Sequence, residues 1–215
     1  ISLRYKYQKI LSQRNSLIKS AHDINLLKNN RTFEIWNENI VNIGSMIIKK
    51  RLNMLKILEE EYSKYMKLFF NKAATKIDYQ LSWQKNGNNS SDLKIEEAYY
   101  DNLISSIEKD LILKSTTIGP HRDDVLIFFD ERNLKNFGSQ GQQRTCVLAL
   151  KLAQVEYISR EIGEKPVLLL DDVFSELDSR RQQALLAYMG KEQQTFLTST
   201  DSSFTDTNIH HRFFQ

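Results

Sequence analysis

The sequence predicts an α/β fold preceded by a helical arm, and three observations carry that prediction. Pro166-Val167-Leu168-Leu169-Leu170-Asp171-Asp172 is a continuous apolar run that stops abruptly in two carboxylates. It reads as a buried parallel strand, and open α/β sheets gather their ligands at the carboxyl ends of such strands. Upstream, Phe137-Gly138-Ser139-Gln140-Gly141-Gln142-Gln143-Arg144-Thr145 precedes a helical pattern of Val147, Leu148, Leu150, Leu152, Val155 and Ile158. A small hydroxyl residue and a glycine at a helix start leave free backbone N–H groups and a positive dipole end facing an anion. Thirdly, apolar residues in the opening stretch step by three or four, as in amphipathic helices. The expected division is a helical arm over residues 1–75 and a sheet-bearing lobe over 76–215.

In chain order, Leu3, Tyr7, Ile10, Leu11, Leu17, Ile18 and Ala21 give a first helix. Asn29-Asn30 marks a break and Thr32 an N-cap, before a long second helix through Trp36, Ile40, Ile47, Leu55, Tyr62 and Phe69. Two long helices joined by a short break form an antiparallel pair. From Lys76 to Trp83 the period changes to two, which predicts a half-buried strand. A polar loop follows over 86–92, with Asp92 able to cap a helix running to about Leu111. Gly119-Pro120 is a turn, Val125 to Phe129 a strand, and Asp130-Glu131-Arg132-Asn133 a second turn. Beyond the apolar run, Asp178 can cap a helix, and Gln194 to Asp201 reads as a further parallel strand.

The 215 residues are 40% hydrophobic and 27% charged, a globular composition with no run long enough to span a bilayer. The chain is therefore expected to be soluble and cytoplasmic. A single Cys146 in an apolar pattern reads as core filler. Net charge is +3, with Arg4, Lys6, Lys9, Arg14, Lys19, Lys28, Arg31, Lys49, Lys50, Arg51 and Lys56 crowding the first quarter. That asymmetry suits a polyanion partner or a solvated helix face. His121, His22, His210 and His211 share no metal-ligand spacing.

Ser139-Gln140-Gly141-Gln142 resembles the signature motif of ABC-type ATPases, Leu168 to Asp172 their Walker B strand, and Ser175-Glu176-Leu177-Asp178 their D-loop. With Gly119-Pro120-His121-Arg122-Asp123-Asp124 upstream, the set is similar to the RecF family of SMC-like recombination ATPases. The resemblance is dense from Gly119 to Asp201 and looser before. None of the seven glycines fits a phosphate-binding Gly-x-x-x-x-Gly-Lys-Ser/Thr loop, and the chain opens on Ile1. The expectation is a C-terminal lobe of an ABC/SMC-like P-loop ATPase head with an inserted antiparallel helical arm, inactive alone for lack of the phosphate loop.

The resemblance further implies ATP and Mg²⁺ as cofactors. Asp171 would hold the metal, and Asp172 would orient or deprotonate the attacking water. Most ABC-type proteins have glutamate at that second position, so the shorter aspartate suggests a slow ATPase. Ser139, Gln140, Gly141 and Gln142 would meet ATP bound by a second copy, with Ser175 and Asp178 at the same dimer interface. Thr200 stands where a γ-phosphate histidine is usual. A nucleoid-associated bacterial protein is implied, clamping DNA at double-strand/single-strand junctions without sequence specificity and helping RecO and RecR load recombinase in gap repair. Two other readings stay open: another SMC-like chromosome-organising head, or a nucleotide-independent helical scaffold. His121 and Arg122 come toward the nucleotide face if the strands around them are antiparallel.

Overall fold

The computed structural model describes residues 2–71, 74–84, 95–189 and 194–199. The predicted 86–92 loop, Asp92, Thr200 and residues 202–215 lie outside the described residues. Two compact units are present, one of residues 1–55 and 78–126, the other of 56–77 and 127–215. Their boundaries fall inside helix α3 (Arg31–Phe70) and strands β1 (Thr75–Gln80) and β2 (Asp124–Phe129). The division expected at residue 75 separates long helices from the first strand, whereas each compact unit combines segments from both sides of it.

The first unit is built on α1 (Leu3–Ser20), α2 (Ile24–Lys28), the opening half of α3, α4 (Ile95–Ser105) and α5 (Ile107–Leu113). Helix α1 runs antiparallel to α3, as the spacing predicts. Arg14 Nε donates to Asn37 Oδ1 at 2.8 Å, and a Cβ on Gly44 would come within 3.1 Å of the Tyr7 ring. Asn30, not Thr32, caps α3: its side-chain oxygen accepts from the Phe33 N–H at 3.1 Å. A cap must stand outside the first turn with its acceptor in reach of an N–H two or three residues on, and Thr32 already sits inside the helix. Ile18, Ala21, Leu27, Phe33 and Ile107 make an apolar core. The helix expected to run through Leu111 is interrupted at Ser106.

Arg14 is a correction to the basic-face reading, because it is 0% exposed. Its Nη1 donates to Asp110 at 2.7 Å and to Thr116 at 2.6 Å, and its guanidinium lies 4.9 Å over the Phe33 ring. A buried arginine needs a charged partner, and Asp110 of α5 supplies it, with Thr116 and Asn37 as further acceptors; Nη2 has no hydrogen-bond partner among the described residues.

The second unit holds the rest of α3, β3 (Arg132–Asn133), α6 (Leu134–Phe137), α7 (Gln140–Ile162), β4 (Leu168–Asp171), α8 (Ser179–Met189) and β5 (Thr195–Thr198). The hairpin turn is two residues, tighter than the four expected: Asp130 and Glu131 take φ of 46° and 64°, the left-handed pair that matches strand twist. Helix α7 buries Cys146, Ala149, Leu152 and Ala153. Tyr65 and Tyr188 both donate to Glu156, and Glu61 takes Lys64 and Arg160.

Strands β4 and β5 pair in parallel as predicted, with Leu169 beside Phe196 and Asp171 beside Thr198. The strand is buried on one face only: Leu168 and Leu170 are covered, while Leu169 is 73% and Phe196 52% exposed. The apolar run thus supplies two apolar faces, and the described residues cover one of them.

Candidate nucleotide site

The signature segment is a helix start assembled by its own side chains. Ser139 Oγ accepts from the Gln142 N–H at 3.2 Å while the Gln142 side chain accepts from the Ser139 N–H at 2.8 Å, a complete capping box. Gln143 Nε2 reaches back to the carbonyls of Leu134, Lys135 and Gly138 at 3.1–3.3 Å and fixes the approach to α7. Ser139 and Gln140 are open to solvent. The cap uses the serine oxygen as an acceptor, so its hydroxyl hydrogen is left to donate outward. A Cβ added at Gly141 would meet no atom within 4 Å. Packing among the described residues therefore gives no reason for a glycine there.

At the carboxyl end of β4, Asp171 and Asp172 are both exposed. Asp172 adopts φ 47°, ψ 28° and begins the 3-10 turn Val173–Glu176. Such a left-handed aspartate costs about 1 kcal/mol and needs local support. Thr198 of β5 provides it: its hydroxyl accepts from the Asp172 N–H at 3.0 Å and donates to Asp171 Oδ1. The same N–H also reaches the Thr198 carbonyl at 3.2 Å. Ser175 Oγ donates to the Asp172 carbonyl at 2.8 Å. Asp178 accepts from the Arg181 N–H at 2.9 Å and pairs with its guanidinium at 3.1 Å, so it caps α8 as expected.

One ion pair brings the two segments together. Arg144 on the first turns of α7 meets Glu176 at 2.9 Å, joining the signature helix to the turn that follows the carboxylates. Sequence reading missed Arg144, Glu176, Gln143 and Thr198. The hydroxyl-rich Thr198-Ser199-Thr200 run was the available signal for the last, but it drew attention to Thr200.

Among the described residues no three His, Cys, Asp or Glu side chains converge as a metal cage. Mg²⁺ keeps waters and uses one or two carboxylates plus substrate phosphates, a requirement that the exposed carboxylates Asp171 and Asp172 fit.

The Gly119–Asp124 motif makes its described bonds within the first unit. His121 Nδ1 lies 2.8 Å from Tyr7 Oη, and its Nε2 lies 3.0 Å from the Thr116 carbonyl. A carbonyl only accepts, so Nε2 carries the proton and Tyr7 donates to Nδ1. Asp123 accepts from Tyr79 and from the Ser82 N–H, both at 2.7 Å, and Arg51 donates to Tyr79 at 3.0 Å and the Pro120 carbonyl at 2.6 Å. Burial raises the Asp123 carboxyl despite these donors, and partial burial lowers His121 against the pull of the Thr116 carbonyl. The motif borders an open groove of about 580 Å³ with Arg4, Tyr7, Arg51 and Tyr79.

No family model matches the chain. It is 40% identical to the DNA replication and repair protein RecF of Ruminiclostridium cellulolyticum over 90% of this chain and 51% of that protein. It is 39% identical to RecF of Bacillus cytotoxicus over 91% of this chain and 52% of that protein. Among solved structures, the recombination mediator protein RecF with ATP, of the RecFOR pathway, matches at a TM-score of 0.78 and 35% identity, covering 94% of this chain and 53% of that one. Among the described residues no helix is long and apolar enough to cross a membrane. Spanning about half the length of the curated relatives it matches, the chain belongs to the RecF family of ABC/SMC-like DNA replication and repair proteins.

Proposed function

We propose that residues 1–215 supply the signature and carboxylate half of an ATP site that is completed between two copies of a full-length protein. The observation that carries this is that one copy leaves both the helix start at Ser139–Gln140 and the carboxylates Asp171 and Asp172 exposed, with Arg144–Glu176 fixing the signature helix to the turn beyond the carboxylates within that copy, so that each segment is open to a second copy. Ser139 and Gly141, with Gln140 and Gln142, meet the γ-phosphate of ATP held by the second copy, where the α7 dipole and free N–H groups favour an anion. Gly141 has room for that approach.

Asp171 holds Mg²⁺, which neutralises the phosphate charge that develops during hydrolysis. Asp172 orients the attacking water from the left-handed position at the strand end. Its side chain is one methylene shorter than glutamate, so hydrolysis is slow and ATP acts as a clamp rather than a motor fuel. Ser175 and Asp178 lie at the same interface.

The closed dimer grips DNA at double-strand/single-strand junctions through phosphates, without base readout. The RecF protein of the matching ATP-bound structure is a recombination mediator of the RecFOR pathway, which supports RecO and RecR as partners in recombinase loading. The test is light scattering of a full-length protein carrying residues 1–215, with and without Mg-ATP. Wild type dimerises with ATP, and Ser139→Arg binds ATP but stays monomeric. An ATP-insensitive wild type overturns the clamp and favours a scaffold role.

A further inference from the structure

We infer that Thr198 is a positioning residue for the metal carboxylate. Its single hydroxyl holds Asp171 in its metal-facing orientation and Asp172 in its left-handed backbone conformation at the same time. This rests on the ATP reading above.

Three features support it. In the parallel register of β4 and β5, Thr198 stands directly beside Asp171, so a side chain of that length spans the gap without bending either strand. The hydroxyl is used in both directions, donating to Asp171 Oδ1 and accepting from the Asp172 N–H at 3.0 Å. A hydroxyl can do this and a methyl cannot. Lastly, Asp172 is one of five non-glycine residues at positive φ among the described residues, and it lies between the carboxylate end and the turn that carries Ser175 and Glu176. The Thr198 carbonyl shares that N–H at 3.2 Å, so losing the hydroxyl leaves the backbone contact and removes the link that joins the Asp171 carboxylate to it.

Hydrogen bonds of this kind orient metal ligands from behind, and their loss weakens metal binding about 10- to 100-fold. Thr198 would act through Asp171 rather than as a ligand. It removes one of the rotamers open to Asp171 and leaves the other carboxylate oxygen for the ion.

The experiment compares Thr198→Val with Thr198→Ser in a full-length protein carrying residues 1–215. Valine keeps the β-branched shape that suits a strand, and serine keeps the hydroxyl. Mn²⁺ uptake is titrated by electron paramagnetic resonance at saturating ATP, and ATP affinity is measured separately in EDTA. Thr198→Val is expected to weaken Mn²⁺ binding about tenfold with ATP affinity in EDTA unchanged, and Thr198→Ser to restore it to within about threefold of wild type. Mn²⁺ binding by Thr198→Val equal to wild type overturns the inference, as does a Thr198→Ser variant as weak as the valine one. A wild type that takes up no Mn²⁺ with ATP overturns the nucleotide reading itself, and this one with it.

Discussion

Gly119 and Gly141 each sit in a motif that stands out in the sequence, and their surroundings could hardly differ more. A Cβ at Gly119 would lie 2.2 Å from Tyr99 Oη and 2.5 Å from Tyr7 Oη, on a backbone at φ +129°. One at Gly141 would touch nothing. The first glycine is explained by the chain around it, where Tyr99, Tyr7, His121 and the Thr116 carbonyl form a continuous line of hydrogen bonds. The second meets nothing among the described residues, which suits the ATP contact proposed for it. Carboxylates divide in the same way. Asp110 is buried and engaged by Arg14 and by Thr117, whereas Asp171 and Asp172 face solvent. A motif can therefore mark a packing knot or a working surface, and the difference is read from what already surrounds it.

The sharpest way to break that comparison is to add one methyl group at each glycine. Gly119→Ala must displace two tyrosine hydroxyls and hold alanine at a φ it rarely adopts, a loss of about 3 kcal/mol. It should lower the urea midpoint of the chain with no change in slope. Gly141→Ala lies in a helix and should stabilise by up to about 1 kcal/mol. Its cost is expected only in ATP-dependent dimerisation. Equal destabilisation by both substitutions would erase the distinction.

A smaller effect comes from pH. The fold favours neutral His121, lowered by burial below its ordinary value near 6.5. The unfolded chain then binds more protons, so this contribution is complete above about pH 6.5 and is lost as pH falls through that value toward the lowered one. Asp123 is raised instead, so its contribution has the opposite sign: it is present below about pH 3.9 and lost as pH rises through the raised value. Urea midpoints between about pH 7.5 and 5.5 should fall for wild type and fall less for His121→Gln. An identical fall in both assigns the acid loss to other groups.

Much of this architecture was legible in the residues. Asp171-Asp172 at the end of an apolar run, a Ser-x-x-Gln start before α7, and Asp178 ahead of α8 each carry their meaning in local order, because capping and strand termination are local events. The antiparallel α1 and α3 followed from helical periodicity on either side of the short break at Asn29-Asn30. What escaped was long-range. Arg14 carries no sequence mark separating it from the exposed lysines beside it, since its burial depends on Asp110 at the far end of the unit. Thr198 and Asp171 are 27 residues apart, and only the register of β4 against β5 joins them. Arg144 and Glu176 escaped for the same reason. The exposed second face of β4 was unreadable because an apolar run states what a strand tolerates, while coverage depends on what other residues are present.

The central claim is that a working site takes its signature residues from one copy and its carboxylates from the other. The direct measurement is ATP turnover of full-length Ser139→Arg, full-length Asp172→Asn, and their equimolar mixture. Each variant alone should be inactive. A mixed dimer keeps one intact site, so the mixture should recover turnover, up to about a quarter of wild type at the random-pairing limit. A mixture as dead as its components would contradict a site shared between two copies.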